Sequence, residues 1–173
     1  EKIGMVMQDF ALIEEFTALD NVMIPLDFAA RGKTKRKKDR KEIARKMLEM
    51  VQMQDFVDKP VSNLSGGQKQ RAAVAVSMVC RKDVLIFDEP TSGLDYDSMI
   101  QVAGLFQTLS KMGKVIFVVT HDYEFLAAAC TRVIHLDNGK QQEDYLLSPD
   151  NLHRLRDFFL RSERRQNFAE NGK

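Results

Sequence analysis

Two short runs of apolar residues, at positions 84–87 and 115–119, stand out from the mixed pattern of the rest of the chain. A run of this length bounded by turn residues is typical of a buried strand in a parallel sheet. Within two residues, the first run is followed by Asp88 and Glu89, and the second by His121. Because open α/β sheets bind ligands at the carboxyl ends of their strands, we expect these three side chains at a ligand site.

The remaining pattern predicts helices that alternate with strands, which is the signature of an α/β fold. Thr17 and Asp20 have the spacing of a helix cap, and Pro25 is expected to bend or interrupt the helix that follows. Asn138-Gly139 predicts a hairpin turn. Helices are predicted over residues 19–30, 38–53, 69–80, 122–129 and 151–160, with another ending near residue 113, and further strands over residues 3–7, 114–120, 132–136 and 140–145.

The segment Leu64-Ser65-Gly66-Gly67-Gln68 predicts a helix start. Ser65 and Gln68 have the spacing of a capping box, in which each side chain bonds the other residue's backbone N–H. Two glycines are poor formers of a first helical turn, but they leave backbone N–H groups bare, and a helix start with bare amides attracts anions. The favoured interpretation is a phosphate contact, and the alternative is a merely flexible entry to a helix.

Asp88 and Glu89 supply two carboxylates at one strand end. One can hold Mg²⁺ while the other orients or polarises a water, which is the division of labour that phosphoryl transfer needs. The alternative is an acidic strand end without chemistry. For His121, a structural role is the alternative to phosphate contact.

Composition narrows the class of protein. The 173 residues carry 26 basic and 25 acidic side chains, a net charge of +1, which gives no general attraction to nucleic acid. No apolar run approaches the roughly 20 residues that span a bilayer, and no signal-peptide pattern is present, so we expect a cytoplasmic protein whose sequence begins inside its fold.

Two local features have structural explanations. Cys80 and Cys130 lie in apolar surroundings and are interpreted as core residues rather than a disulfide. Residues 31–41 hold eight basic side chains and one acid, interpreted as a solvated surface, with contact to lipid head groups or a basic-patch partner as the alternative.

The order of five motifs resembles that of ATP-binding cassette (ABC) transporter ATPases. Residues 64–68 are similar to the signature motif, 84–89 to Walker B, 92–95 to the D-loop and 120–122 to the H-loop, and Gln8 is similar to the Q-loop glutamine. The resemblance covers nearly the whole chain. It implies ATP and Mg²⁺ as cofactors.

The resemblance also implies roles for single residues. Asp88 would bind Mg²⁺ through water, Glu89 would be the general base that polarises the attacking water, and His121 would contact the γ-phosphate. Gln8 would sense Mg²⁺ and the water and link the site to a transmembrane partner.

The remaining implied roles concern a dimer. Ser65, Gly66 and Gly67, with Gln68 in the same motif, would clamp the γ-phosphate of nucleotide held on the opposite subunit, and Asp95 would join the two half-sites. The implied partners are transmembrane permease subunits and a second ABC ATPase subunit, identical or not, at the cytoplasmic face of the membrane. No nucleic-acid partner is expected.

The implied fold is α/β, a P-loop NTPase-like (RecA-like) parallel sheet core lacking its N-terminal strands, with an inserted α-helical subdomain. The expected domains are residues 1–13 (core strand and Q-loop), 14–63 (helical subdomain, which receives the transporter's coupling helix), 64–145 (signature helix and catalytic core) and 146–173 (C-terminal helix and tail).

The sequence departs from the family in two respects. It contains no G-x-x-x-x-G-K followed by Ser or Thr, the phosphate-cradling Walker A loop. We therefore expect a chain that has lost an N-terminal portion, binds ATP weakly alone, and has bare apolar faces and unpaired edges on the strands ending at Asp88 and His121. Such a chain should be poorly stable or associate.

The second departure concerns the subfamily. Residues 5–22 resemble lipoprotein-release and macrolide-export ATPases, whereas residues 92–98 and 120–125 resemble energy-coupling-factor importers.

Three functions are considered. The first is a subunit that hydrolyses ATP to drive transport, and the second is a non-hydrolysing partner that supplies its signature motif in trans to a full-length ATPase. The third, a soluble ABC-type ATPase acting on DNA or ribosomes, is disfavoured by the transporter-like helical subdomain and the near-neutral charge.

Overall fold

The computed structural model describes residues 3–6, 11–29, 36–80 and 82–160. They form two compact units within Glu1–Thr120 and His121–Lys173. In the first unit the elements are β1 (Ile3–Val6), α1 (Ala18–Ala29), α2 (Lys37–Met50), α3 (Gly66–Val79), β2 (Val84–Asp88), α4 (Tyr96–Lys111) and β3 (Val115–Val119). In the second they are α5 (Tyr123–Ala129), β4 (Arg132–Asp137), β5 (Lys140–Leu146) and α6 over residues 152–160. Short 3₁₀ turns lie at Gln54–Phe56, Val61–Asn63 and Pro149–Asn151.

The first unit contains the predicted parallel sheet, in the order β1-β2-β3. β2 is the central strand, with Phe87 in register with Val6 on one side and Val118 on the other. Leu85 and Phe87 are buried on one face, where the Phe87 ring lies 4.4 Å from that of Phe106 on α4. This packing places the carboxyl ends of β2 and β3 side by side.

The opposite face of this sheet is exposed. The side chains of Ile3, Met5, Val115, Phe117 and Val119 remain 51–59% exposed. The prediction of strands buried on both faces is therefore wrong for β3, since its side chains at Val115, Phe117 and Val119 stay exposed. The expected bare apolar face is therefore found. The expected unpaired edge on the strand ending at Asp88 is not found, because β2 is paired with β1 on one edge and with β3 on the other.

Helices α1, α2 and α3 pack against one another beside the sheet. α1 begins as predicted, with the Thr17 hydroxyl accepting from the Asp20 N–H at 3.0 Å. α1 continues through Pro25, so the predicted interruption is wrong. Proline removes one backbone hydrogen bond from the helix, and burial of Leu19 and Val22 stabilises the helix despite this loss.

α2 ends earlier than predicted. Gln52 has φ +57, and the N–H groups of Gln52 and Met53 donate to the carbonyls of Glu49 and Leu48 at 2.9 and 2.8 Å. This is a Schellman cap, and its left-handed residue stops the helix three residues before the predicted end.

The second unit contains the predicted hairpin. Asn138 and Gly139 both have positive φ, 49 and 72°, as a two-residue turn matched to the strand twist requires. Arg132 donates two hydrogen bonds of 2.7 Å to Asp144 across β4 and β5.

The two cysteines differ in their surroundings. Cys80 is exposed at the end of α3, so its interpretation as a core residue is wrong: the last turn of the helix carries it to the surface. Burial raises the pKa of the Cys130 thiol to about 11. Within the described residues, the helices are all too short or too polar to cross a membrane.

Candidate functional site

Asp88 is the last residue of β2 and lies in register with Val119, the last residue of β3. The next residue, Glu89, has φ +47, a left-handed conformation that is uncommon for a residue other than glycine. The chain therefore turns sharply between the two carboxylates. Backbone conformations of this kind persist only where the surrounding structure holds them, and they cluster at functional sites.

The surrounding structure holds Glu89 at three points. Its N–H donates to the Val119 carbonyl at 2.8 Å, and its own carbonyl accepts from the Ser92 N–H at 3.2 Å. The Thr120 hydroxyl donates to Glu89 Oε2 at 3.3 Å. The half-buried carboxylate is thus oriented by the end of the neighbouring strand. Thr120 belongs to the segment that is similar to the H-loop, but the sequence alone indicates no role of its own for it.

The carboxylates of Asp88 and Glu89 suit a magnesium ion of the kind that binds phosphates. Mg²⁺ is commonly held by one or two carboxylates together with waters and substrate phosphates. Among the described residues there is no cluster of three or more His, Cys, Asp or Glu side chains that could form a complete protein cage. The donor set therefore fits an ion shared with a phosphate ligand rather than an ion held by protein alone.

Asp95 ends the turn after β2 and caps α4. Its carboxylate accepts from the Ser98 N–H at 2.8 Å and from the Ser98 hydroxyl at 3.0 Å. These bonds lower the pKa of the exposed Asp95 carboxyl below its ordinary value. The turn is formed by a 3.0 Å bond from the Leu94 N–H to the Thr91 carbonyl, with Gly93 at φ +73.

The start of α3 forms the predicted capping box. The Ser65 hydroxyl accepts from the Gln68 N–H at 3.3 Å, and Gln68 Oε1 accepts from the Ser65 N–H at 3.0 Å. The Gln68 carboxamide oxygen is therefore engaged in the cap. Ser65 and Gly66 are exposed, and Gly67 is buried.

The two glycines of this helix start have a packing reason that the sequence did not reveal. A Cβ at Gly66 would lie 3.0 Å from Leu94 Cδ2, and a Cβ at Gly67 would lie 3.0 Å from Ser98 Cβ. Both glycines therefore let α3 approach the turn before α4 closely. The structure brings Ser65, Gly66, Gly67 and Gln68 against the Asp95 turn, and Asp88 beside Glu89.

Two further sequence-predicted residues are described separately. Gln8 lies outside the described residues. His121 begins the second unit, where the next residue, Asp122, caps α5 by accepting from the Phe125 N–H at 2.9 Å.

Comparison with known proteins identifies the class. A family model described as ABC transporter matches residues 1–92. The glutamine transport ATP-binding protein GlnQ of Bacillus subtilis is 39% identical over 144 residues, which are 83% of this chain and 58% of that protein. The lipoprotein-releasing system ATP-binding protein LolD of Ehrlichia chaffeensis is 36% identical over 138 residues, 79% of this chain and 57% of that protein.

Solved structures give the same class. An ATP-binding cassette in a dimeric post-hydrolysis state, bound to ADP and Pi, matches with a TM-score of 0.73 at 33% identity, over 86% of this chain and 64% of that one. The fold is thus that of P-loop ATPase cassettes, which confirms the predicted fold class.

The chain belongs to the ABC transporter family and to its ATPase subunits. The predicted resemblance is confirmed, and membership implies nucleotide binding. The chain spans less than three fifths of the length of the two curated relatives. The names of these two relatives refer to different transported molecules, although their identities to this chain, 39% and 36%, are similar. The comparison therefore identifies the class of protein.

Proposed function

We propose that this chain is part of the ATP-hydrolysing subunit of an ABC transporter, which couples ATP hydrolysis to transport across a membrane, and that Glu89 is its general base. The observation that carries the proposal is the held conformation of Glu89, with φ +47 and a hydroxyl donor from Thr120 at 3.3 Å. A general base must be oriented towards its water, and the backbone turn together with the Thr120 hydroxyl fixes the orientation of this carboxylate.

In this proposal the residues at the strand ends divide the work. Asp88 would hold Mg²⁺ through water, and the ion would neutralise charge on the phosphates, while Glu89 would polarise the attacking water and accept its proton. His121 contacts the γ-phosphate, and Gln8 relays the state of the site to the membrane partner. These roles follow from family resemblance and suit the positions of Asp88 and Glu89 at the end of β2.

The helix start of α3 would act on a second subunit. Ser65, Gly66 and Gly67 would clamp the γ-phosphate of nucleotide bound opposite, and Asp95 would join the half-sites. Exposure of Ser65 and Gly66 supports this role, since a trans contact needs an accessible surface. Residues 14–63 would form the helical subdomain that meets a permease subunit on the cytoplasmic side of the membrane.

The proposal is tested on a protein in which a P-loop-containing segment precedes this sequence. Glu89→Gln should lower ATP turnover by about 10²–10⁴-fold, the usual contribution of a general base, while leaving ATP binding unchanged. Glu42→Gln, at an exposed carboxylate on α2, is the matched control and should turn over normally. Normal turnover by the Glu89 variant would remove Glu89 as the base.

A second function is favoured by a different observation. The Ser65 cap is fully formed, although the sequence contains no Walker A loop. The alternative that we propose is that this cap completes, in trans, the site of a P-loop-containing ATPase, while the chain itself does not hydrolyse ATP. Ser65→Arg should then lower the partner's ATPase rate on mixing, whereas Ser62→Arg, at an exposed position before the cap, should not. Equal rates with both variants would exclude this function.

A further inference from the structure

A cleft of about 240 Å³ lies in the first unit, between the end of α2 and the facing sides of α3 and α4. Its lining includes Gln52, Arg71, Gln101, Gly104 and Leu105. None of these residues belongs to the site described above. The volume is below the roughly 300–1,000 Å³ of pockets for drug-sized ligands, so any ligand must be small.

Arg71 is the one ionisable side chain among the described residues that line this cleft. It is only 9% exposed. Its Nη1 donates to Gln101 Oε1, and its buried Nε has no hydrogen-bond partner. Desolvation lowers the pKa of the guanidinium, which nevertheless stays charged.

No carboxylate among the described residues neutralises this cation. The residue that meets it on α4, Gln101, is neutral. Buried charges in proteins are normally paired, because an unpaired one loses its hydration without replacement. Gln101 accepts from Nη1, and the buried Nε has almost no accessible surface, so a carboxylate in the cleft would approach the guanidinium at Nη2.

The opposite wall of the cleft is shaped by a glycine. Gly104 lies inside α4, and a Cβ built on it would meet nothing within 4 Å. Glycine in a helix interior costs about 0.5–1 kcal/mol relative to alanine, and close packing does not explain it at this position. Leu105 and Met50 add apolar surface beside it.

We propose that this cleft binds a small organic acid, whose carboxylate pairs with Nη2 of Arg71 and whose short hydrocarbon part lies against Leu105 and Met50. The mixed lining, in which Met50, Val51 and Leu105 lie among polar side chains, favours an acid with a short hydrocarbon part over inorganic phosphate. Arg71 lies on the same helix as the Ser65 cap, so occupancy would stabilise the helix that carries the signature motif.

The direct test follows the Nε–H signal of Arg71 by NMR in the full chain. Butanoate is added against chloride at equal ionic strength, and thermal unfolding is measured in parallel. The Arg71 signal and the unfolding midpoint should shift saturably with butanoate and not with chloride, and phosphate should bind at least tenfold more weakly. No saturable response, or an equal response to chloride, would overturn the proposal.

Two kinds of variant test separately the charge of Arg71 and the volume of the cleft. Gln101→Glu puts a carboxylate beside Arg71; it should raise the midpoint without butanoate and weaken the butanoate response at least tenfold. Gln107→Glu adds the same charge on α4 outside the cleft lining and should keep the response. Gly104→Leu fills the cleft without changing its charge and should abolish the response to butanoate. If Gly104→Leu folds and still responds as the unmodified chain does, the ligand does not occupy the cleft.

Discussion

Gly67, in the first turn of α3, lies so close to Ser98 of α4 that a Cβ at Gly67 would be 3.0 Å from Ser98 Cβ and 3.1 Å from its Oγ. Ser98 is also the residue that donates two hydrogen bonds to Asp95. The start of α3 and the Asp95 cap of α4 are therefore in direct contact within one chain. Because this contact is close, a movement of the start of α3 towards α4 would require Ser98 to move as well.

The contact predicts opposite effects of alanine at two helical glycines. Gly67→Ala should destabilise the chain by about 1–3 kcal/mol, the usual cost of overpacking, although alanine is the better helix former. Gly104→Ala, with nothing within 4 Å of its added Cβ, should stabilise it by about 0.5–1 kcal/mol. Urea unfolding measures both, and the same sign for both variants would contradict the packing argument.

Thr120→Val should slow ATP hydrolysis in a protein that also carries a P-loop. The substitution keeps the shape of the side chain but removes the O–H that orients Glu89. Loss of a hydrogen bond to a charged group, about 1.5–3 kcal/mol, should lower kcat by about tenfold or more and leave KM unchanged.

Two variants control this measurement. Thr120→Ser keeps the hydroxyl and should keep most of the rate. Thr108→Val removes a hydroxyl that bonds the Gly104 carbonyl on α4 and should not affect kcat. A rise in KM with unchanged kcat would mean that Thr120 serves substrate binding instead of positioning Glu89.

Local patterns in the sequence were sufficient to predict the elements of the site. The Ser65–Gln68 cap depends on residues three apart, and β2 depends on a continuous apolar run, so both follow from neighbouring residues. The polar residues at the ends of β2 and β3 followed from the same runs.

Contacts between residues distant in sequence could not be predicted in this way. The Thr120–Glu89 bond and the Gly67–Ser98 contact each join segments whose proximity depends on the assembled sheet and helices. The same limit explains why an interruption at Pro25 was considered and does not occur, and why Cys80 was wrongly placed in the core. The first depends on the packing of α1 and the second on the direction of the last turn of α3.

Acid should weaken the chain in a way that depends on Asp95. Its folded-state pKa is lowered by the Ser98 bonds, so the ionised carboxylate contributes stability above the unfolded-state pKa of about 3.9, and this contribution is lost as pH falls through the folded-state pKa. Asp95→Asn keeps a capping oxygen but does not titrate. The stability difference between the two proteins should therefore shrink between pH 5 and 2, about the range that the direction of the pKa shift indicates.

Urea unfolding across that pH range measures the difference. Asp97→Asn, in the same helical turn, is the charge control. A difference between the wild type and Asp95→Asn that stays constant across this range would show that the cap does not depend on ionisation.

The exposed face of the sheet should drive self-association of the isolated chain. Met5, Ile86 and Phe117 form one row across β1, β2 and β3, and Met5 and Phe117 are 59% and 51% exposed. Burying such a side chain is worth about 1.5–3 kcal/mol, so Phe117→Asp should weaken association by about 10- to 100-fold or more. Sedimentation velocity over a range of concentrations measures this. Ile100→Asp, at a 41% exposed position on α4, removes an apolar side chain away from the sheet and should associate like the wild type. If both variants associate equally, the contact lies elsewhere on the molecule.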